Sequence, residues 1–203
     1  SNTSWSFVVS LFLNQIKSHL ESFNSVRSID FDKDNYSSFV SPLQLITDKP
    51  VLYVCNVDEN SATTGNHYVD RIKKLVSNEN AEVITLAVGI EADINELDDF
   101  EERKIFLEDL GLSEPGSSKL LRSTYKLLNL QTYFTAGLKE VRAWTIAVGS
   151  TAPQAAGVIH TDFEKGFIRA EVISYDDYVT YKNELKVKEA GKMNIEGKNY
   201  IVN

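Results

Sequence analysis

Cysteine is almost missing from this 203-residue chain: Cys55 stands alone, so no internal disulfide framework is available. Such usage fits a reducing, cytosolic setting. Histidine is as sparse, with His19, His67 and His160 far apart. One thiol and three scattered imidazoles leave no zinc-ligand spacing, and no metal site is expected. No apolar run is long enough to cross a bilayer as a helix. The longest, residues 5–13, has nine residues interrupted by serine, against about 20 for a span. It lacks a basic segment before it and a small-residue cleavage site after it, so a signal peptide is not expected. The chain reads as soluble, with no membrane partner. Positive charge is also short: 21 basic against 29 acidic residues leave a formal net charge of -8. That excludes a surface wholly committed to nucleic acid and leaves room only for a local basic face. What remains is an ordinary globular composition, enough for one large domain or two small ones.

Hydrophobic spacing organises the chain. Val9, Leu13, Ile16, Leu20 and Phe23 recur every three or four residues, which predicts a helix of about five turns over 5–23. It packs either on its own domain or against a helix outside this chain. Residues 24–49 are polar and irregular, with Asp30, Asp32 and Asp34 marking a loop. Residues 50–55 are short, apolar and bounded by proline and a polar turn, as in a buried strand of a parallel sheet. A loop over 61–66, a helix with Val69, Ile72 and Val76 on one face, and a second buried strand over 81–88 complete a βαβ unit. Residues 91–110 turn acidic and helical and stop at Gly111. Ser117 is placed to cap a helix carrying Leu120, Leu121, Tyr125 and Leu128. Beyond Asn129 the pattern changes. Residues 131–136 and 140–147 read as a hairpin, 151–157 as helix or loop, 167–173 as a strand and 176–189 as helix. Residues 193–202 read as two β-type runs about a Glu196-Gly197 turn. The whole is an α/β region followed by a small α+β domain, with the boundary near 128–130.

The most informative local feature is Asn56-Val57-Asp58-Glu59, which ends the first buried strand. In an open α/β sheet, ligands bind at the carboxyl ends of strands, where this loop must lie. An asparagine side chain is able to read a purine edge with both its carbonyl and its amide. A carboxylate three positions later accepts hydrogen bonds from the opposite edge. The general nucleotide-binding pattern here is Asn-Lys-x-Asp, whose Asp receives two donors of guanine. A glutamate moves that carboxylate by about 1.5 Å, one carbon–carbon bond. Guanine's N1–H and N2 amine would then be misplaced, and buried partners that miss each other lose discrimination. Adenine lacks those donors, so the substitution leans toward adenine or toward loose selectivity. Spacing alone does not separate this site from a polar turn.

Longer phrases do. Lys49-Pro50-Val51-Leu52-Tyr53-Val54 leads into Asn56-Val57-Asp58-Glu59, and Ile90-Glu91-Ala92 and Phe106-Leu107-Glu108-Asp109-Leu110-Gly111-Leu112 follow. Then come Leu130-Gln131-Thr132-Tyr133-Phe134-Thr135-Ala136-Gly137, Lys139-Glu140-Val141-Arg142-Ala143-Trp144-Thr145 and the run over 151–172, with His160-Thr161-Asp162-Phe163-Glu164-Lys165-Gly166 inside it. Across 40–203 the chain resembles the C-terminal half of the YchF, or Obg-like, family of P-loop NTPases. The resemblance implies a helical arm and connection over 1–48, then the C-terminal part of a G-type nucleotide-binding parallel sheet over 49–128. A β-grasp-like TGS domain over 129–203, lacking its last strand, would follow. It also implies a cytoplasmic, ribosome-associated hydrolase of ATP, and of GTP in some members, that uses magnesium. By position, Asn56, Val57 and Glu59 resemble the family's base-recognition loop, and Ala87-Val88-Gly89 its second base-side segment.

The departures are as informative. No Gly-x-x-x-x-Gly-Lys-Ser/Thr sequence occurs, so the phosphate cradle and the magnesium ligands are absent and no catalytic residue is assigned. A chain of this composition should be inactive alone. The alternative reading is an RNA- or protein-binding module without nucleotide activity. Its candidate surface is Lys139, Arg142, Lys165 and Arg169 interleaved with Tyr133, Phe134 and Trp144, a mixture able to stack bases and hold phosphates. In the simpler reading the aromatics are core and the cations a solvated face. His160, beside Asp162 and Glu164, reads as a capping or surface group before a catalytic one, and Cys55 as a small hydrophobe closing a strand.

Overall fold

The computed structural model describes residues 2–79, 81–137 and 140–203, with side chains from Val8 onward. The chain divides into two compact units, Ser1–Leu127 and Leu128–Asn203.

The first unit opens with helix α1 (Asn2–Glu21). Its buried stripe differs from the one read off the sequence. Ile16 is buried with Val26 and Val40, and Leu20, Phe31 and Leu45 pack around them. Leu13 and Phe23, expected on that face, are 44% and 99% exposed. Phe12 takes part instead, stacked on Phe39 at 5.1 Å. Phe23 leaves the stripe because its φ of 59° lies in the left-handed region, past the helix end. Residues 24–49, expected as irregular, hold short turns that bury Val26 and Val40 completely: the single turn α2 (Lys33–Asn35), a wide turn over Tyr36–Val40 and tight turns elsewhere.

Strand β1 (Leu52–Asn56) and strand β2 (Glu82–Leu86) pair in parallel, with Asn56 opposite Leu86. Between them runs α3 (His67–Leu75), capped by Asn66, whose Oδ1 accepts from the amides of Tyr68 and Val69. Fully burying Ile84 and Val69 contributes about 1.5–3 kcal/mol each. The Tyr53 hydroxyl donates to Glu79 at 2.9 Å, and that bond pushes the phenol pKa up. Arg27 reaches the same carboxylate at 3.5 Å and donates to the carbonyls of Thr47 and Lys49, tying the connecting segment to β1.

Val88, expected to end the second strand, opens helix α4 (Val88–Glu96) instead. The acidic stretch that follows is two helices, because Asp99 accepts from the amides of Glu101 and Glu102 and starts α5 (Phe100–Asp109) afresh. Gly111 has φ +68°, as a helix stop requires. Helix α6 (Gly116–Leu127) begins one residue before Ser117, so Ser117 is not its cap.

In the second unit β3 (Leu130–Ala136) and β4 (Val141–Ala147) form an antiparallel pair. Helices α7 (Ala152–Ile159) and α8 (Thr161–Lys165) follow, and α7 buries Ala152 and Ala155. The Tyr133 hydroxyl donates to the carbonyl of Ala155, and burial raises its pKa. The expected strand at 167–173 narrows to β5 (Ala170–Val172). Residues 176–189 are two helices, α9 (Tyr175–Tyr181) and α10 (Glu184–Glu189), separated by Lys182 at φ 55° and restarted by the Asn183 cap. Strand β6 (Asn194–Glu196) pairs with β5, whereas Ile201 bridges Thr151. The two β-type runs around Glu196-Gly197 therefore bond to different partners and not to each other.

Candidate functional site: the carboxyl ends of β1 and β2

Parallel pairing brings the ends of β1 and β2 level, so the segments leaving them meet. Val57 donates its amide to the carbonyl of Leu86 at 3.0 Å, one further rung of the ladder. Its side chain turns inward against Ala87, Ile90, Ile94 and Leu107. What Val57 offers at the surface is therefore main chain. Ala87 is buried and precedes α4, while Val88 and Gly89, the first two residues of that helix, are exposed.

The Oδ1 of Asn56 accepts the amide of Val88 at 3.1 Å. A backbone N–H is only a donor, so the oxygen must face it and the amide nitrogen must face away. That leaves Nδ2 of Asn56, without a partner among the described residues, as a donor on an exposed rim. The acidic neighbours divide their work. Asp58 is spent locally, since its Oδ1 accepts from both the amide and the hydroxyl of Ser61 at 3.0 Å. Glu59 has no side-chain hydrogen bond or ion pair among the described residues, and a Cβ placed on Gly89 would lie 3.6 Å from its Oε1. One rim thus presents an outward amide, an available carboxylate and a helix start without side-chain bulk at Gly89. An amide donor and a carboxylate acceptor suit the edge of a nitrogen heterocycle.

The same rim is braced from behind. The Glu91 carboxylate, one turn into α4, accepts from the amides of Gly116 at 2.5 Å and Ser117 at 3.0 Å. This is the cap of α6 that the sequence assigns to Ser117. Glu91 and Gly116 are 25 residues apart, a distance no local spacing rule covers. A cavity of about 260 Å³ lies beside this brace, lined by Thr63, Thr85, Ile90, Leu112 and Lys119 among others.

The other candidates resolve simply. His160 accepts the amide of Asp162 on Nδ1 at 3.2 Å and caps α8. No cluster of three or more His, Cys, Asp or Glu able to hold a metal occurs among the described residues. No helix among them is long and apolar enough to cross a membrane. Strand alternation divides the aromatics of the second unit between two faces, and Arg142 shares the face of Trp144. Tyr133 and Trp144 face inward, with the Trp144 Nε1 donating to Thr135 at 2.9 Å and the Arg142 guanidinium 4.1 Å over its ring. Phe134 faces outward, 56% exposed, and pairs with Tyr175 at 6.1 Å. Lys165 and Arg169 are exposed, and Lys139 lies outside the described residues.

Fold and site together define an α/β protein whose parallel strands end in an asparagine–glutamate rim, joined to a second unit of short antiparallel sheets. Comparison with known proteins makes this specific. Residues 130–203 match the family model YchF-GTPase_C, described as a protein of unknown function (DUF933). The chain is 54% identical over 190 residues to the ribosome-binding ATPase YchF of Haemophilus ducreyi, covering 94% of this chain and 52% of that protein. It is 46% identical over 192 residues to the protein of the same name from Bacillus subtilis, again covering 94% and 52%. Among solved structures it superposes on the Schizosaccharomyces pombe YchF GTPase with a TM-score of 0.80 at 34% identity, over 94% of this chain and 50% of that one. The chain belongs to the YchF family. It spans about half the length of the curated relatives it matches.

Proposed function

We propose that residues 49–128 are the C-terminal part of a G-type nucleotide-binding domain and that the rim of Asn56, Glu59, Val88 and Gly89 reads the base of ATP, and less selectively of GTP. The single observation that carries this reading is the Asn56–Val88 hydrogen bond. It points Nδ2 outward, where it donates to a purine N7. Both adenine and guanine carry N7, so Asn56 selects purines. The choice between them falls to Glu59, whose longer side chain is poorly placed for guanine's paired donors. The main chain of Val57 and of Ala87 completes the rim. ATP or GTP thus fits the residues present as far as its base. The phosphate cradle and magnesium ligands have no counterpart in this sequence, so hydrolysis requires residues from elsewhere in a YchF protein. The relatives carry the name ribosome-binding ATPase, which supports a cytosolic protein that works on the ribosome or one of its subunits.

Residues 129–203 are proposed as the TGS domain. Its exposed Phe134–Tyr175 pair, with Arg142 over Trp144 nearby in sequence, favours a second reading in which this unit holds RNA of the ribosomal partner.

The test is a titration of labelled ATP and GTP against this chain and against a version extended at its N-terminus with the remainder of a YchF protein. Weak or no binding is expected for this chain. The extended protein should bind tightly with magnesium and hydrolyse ATP. Equal behaviour of the two overturns the proposal.

A further inference from the structure

We propose that Glu91 is a positioning residue for base recognition: its carboxylate locks α4 against α6 and thereby holds Val88 where it orients Asn56. The inference rests on the base-reading role proposed above for this rim.

The chain of contacts is continuous. Two amides at the start of α6, a helix of 12 residues, converge on the two oxygens of Glu91. Those amides belong to the first turn, where no intrahelical acceptor exists and the helix dipole favours a negative charge. Glu91 lies three residues after Val88, about one turn along α4, so fixing its side chain fixes the rotation of that helix. Rotation of α4 decides where the Val88 N–H points, and that N–H is what Asn56 accepts. The joint is also tight. A Cβ at Gly116 would stand 2.9 Å from Cβ of Leu86 and 3.0 Å from Oε1 of Glu91. Leu86 is the last residue of β2, directly opposite Asn56. The brace therefore presses on the same strand end that carries the rim.

A cap serving α6 alone would need no link to Asn56. A carboxylate that shares its helix with Val88 necessarily transmits its position to the rim, because an α-helix of nine residues turns as one body. Glutamate is the residue that does this at both amides, since charge-assisted bonds are about twice as strong as neutral ones. Glutamine keeps one carbonyl acceptor but sets its NH₂ against the second N–H.

The experiment follows the Asn56 side-chain amide in ¹H–¹⁵N spectra of this chain, comparing Glu91→Gln, Glu91→Ala and Gly116→Ala with a Ser123→Ala control. Ser123 also lies on α6, but its hydroxyl donates to Glu82 on β2 and not to a residue of α4. The Glu91 and Gly116 variants should shift the Asn56 Nδ2 resonances and speed exchange of the Val88 amide by about tenfold. Ser123→Ala should leave both in place. In the extended protein, Glu91→Gln should raise KM for magnesium-ATP by about tenfold and leave kcat near its original value. Unmoved Asn56 resonances in folded Glu91→Gln, with Gly116 and Ser117 shifted, overturn the inference and reduce Glu91 to a cap of α6. A fall in kcat with unchanged KM also overturns it. An extended wild-type protein that binds no nucleotide defeats the base-reading role, whereas the Asn56 resonances still report on the brace.

Discussion

Asn56 and Glu59 sit three positions apart, yet the structure uses them in opposite ways. Asn56 gives up its oxygen to Val88, and its nitrogen has no partner among the described residues. Glu59 keeps its whole carboxylate, because Asp58 between them caps the short turn at Glu59–Ser61. The sequence identified both residues. It did not show that Asp58 was committed locally, nor that Val57 faces the core, because each depends on how the loop closes on α4. The length of the Glu59 side chain is the testable point at this scale. Glu59→Asp in the extended protein should raise GTP affinity relative to ATP by about tenfold or more, measured by competitive titration. An unchanged ratio would place the choice of base outside this carboxylate.

Elements begin and end here where side chains supply the missing backbone partners. Asn66, Asp99, Ser174 and Asn183 each accept from amides of the first turn that follows, and each starts a helix. The sequence carries those signals, yet Asp99 and Asn183 interrupt stretches whose composition reads as one helix. Composition averages over a window and does not register a single cap. Asn66 matters most for the site, since it orients α3 between the two strands that form the rim. Asn66→Ala should cost about 1 kcal/mol, seen as a lower urea midpoint with an unchanged slope. No loss of stability would mean that the helix start is held by packing of Val69 alone.

At the scale of the whole molecule, charge separates the two units. Residues 1–127 contain 12 basic and 20 acidic side chains, and residues 128–203 contain nine of each. The entire net charge of -8 therefore belongs to the unit with the rim, and a polyanionic RNA meets less repulsion at the second. Among the described residues Arg142 over Trp144 is the cation–aromatic contact of this unit, so few phosphates are held beside a stacking ring. We expect weak binding of a single-stranded RNA oligonucleotide by fluorescence anisotropy, with log affinity falling as log salt rises. Arg142→Ala should reduce that slope by about 0.7, the value of one phosphate contact on a single strand. A salt-independent affinity would argue against phosphate contact.

By itself the sequence determined the α/β class, the parallel strands, the stop at Gly111 and the family, because these rest on local periodicity, a glycine stop and long matched phrases. Tertiary structure decided the rest. It set which face of α1 is buried, the separate partners of residues 194–196 and Ile201, the orientation of the Asn56 amide, and the brace from Glu91 to α6. These depend on groups brought together from distant positions, and hydrogen bonding between such groups leaves no period in the chain.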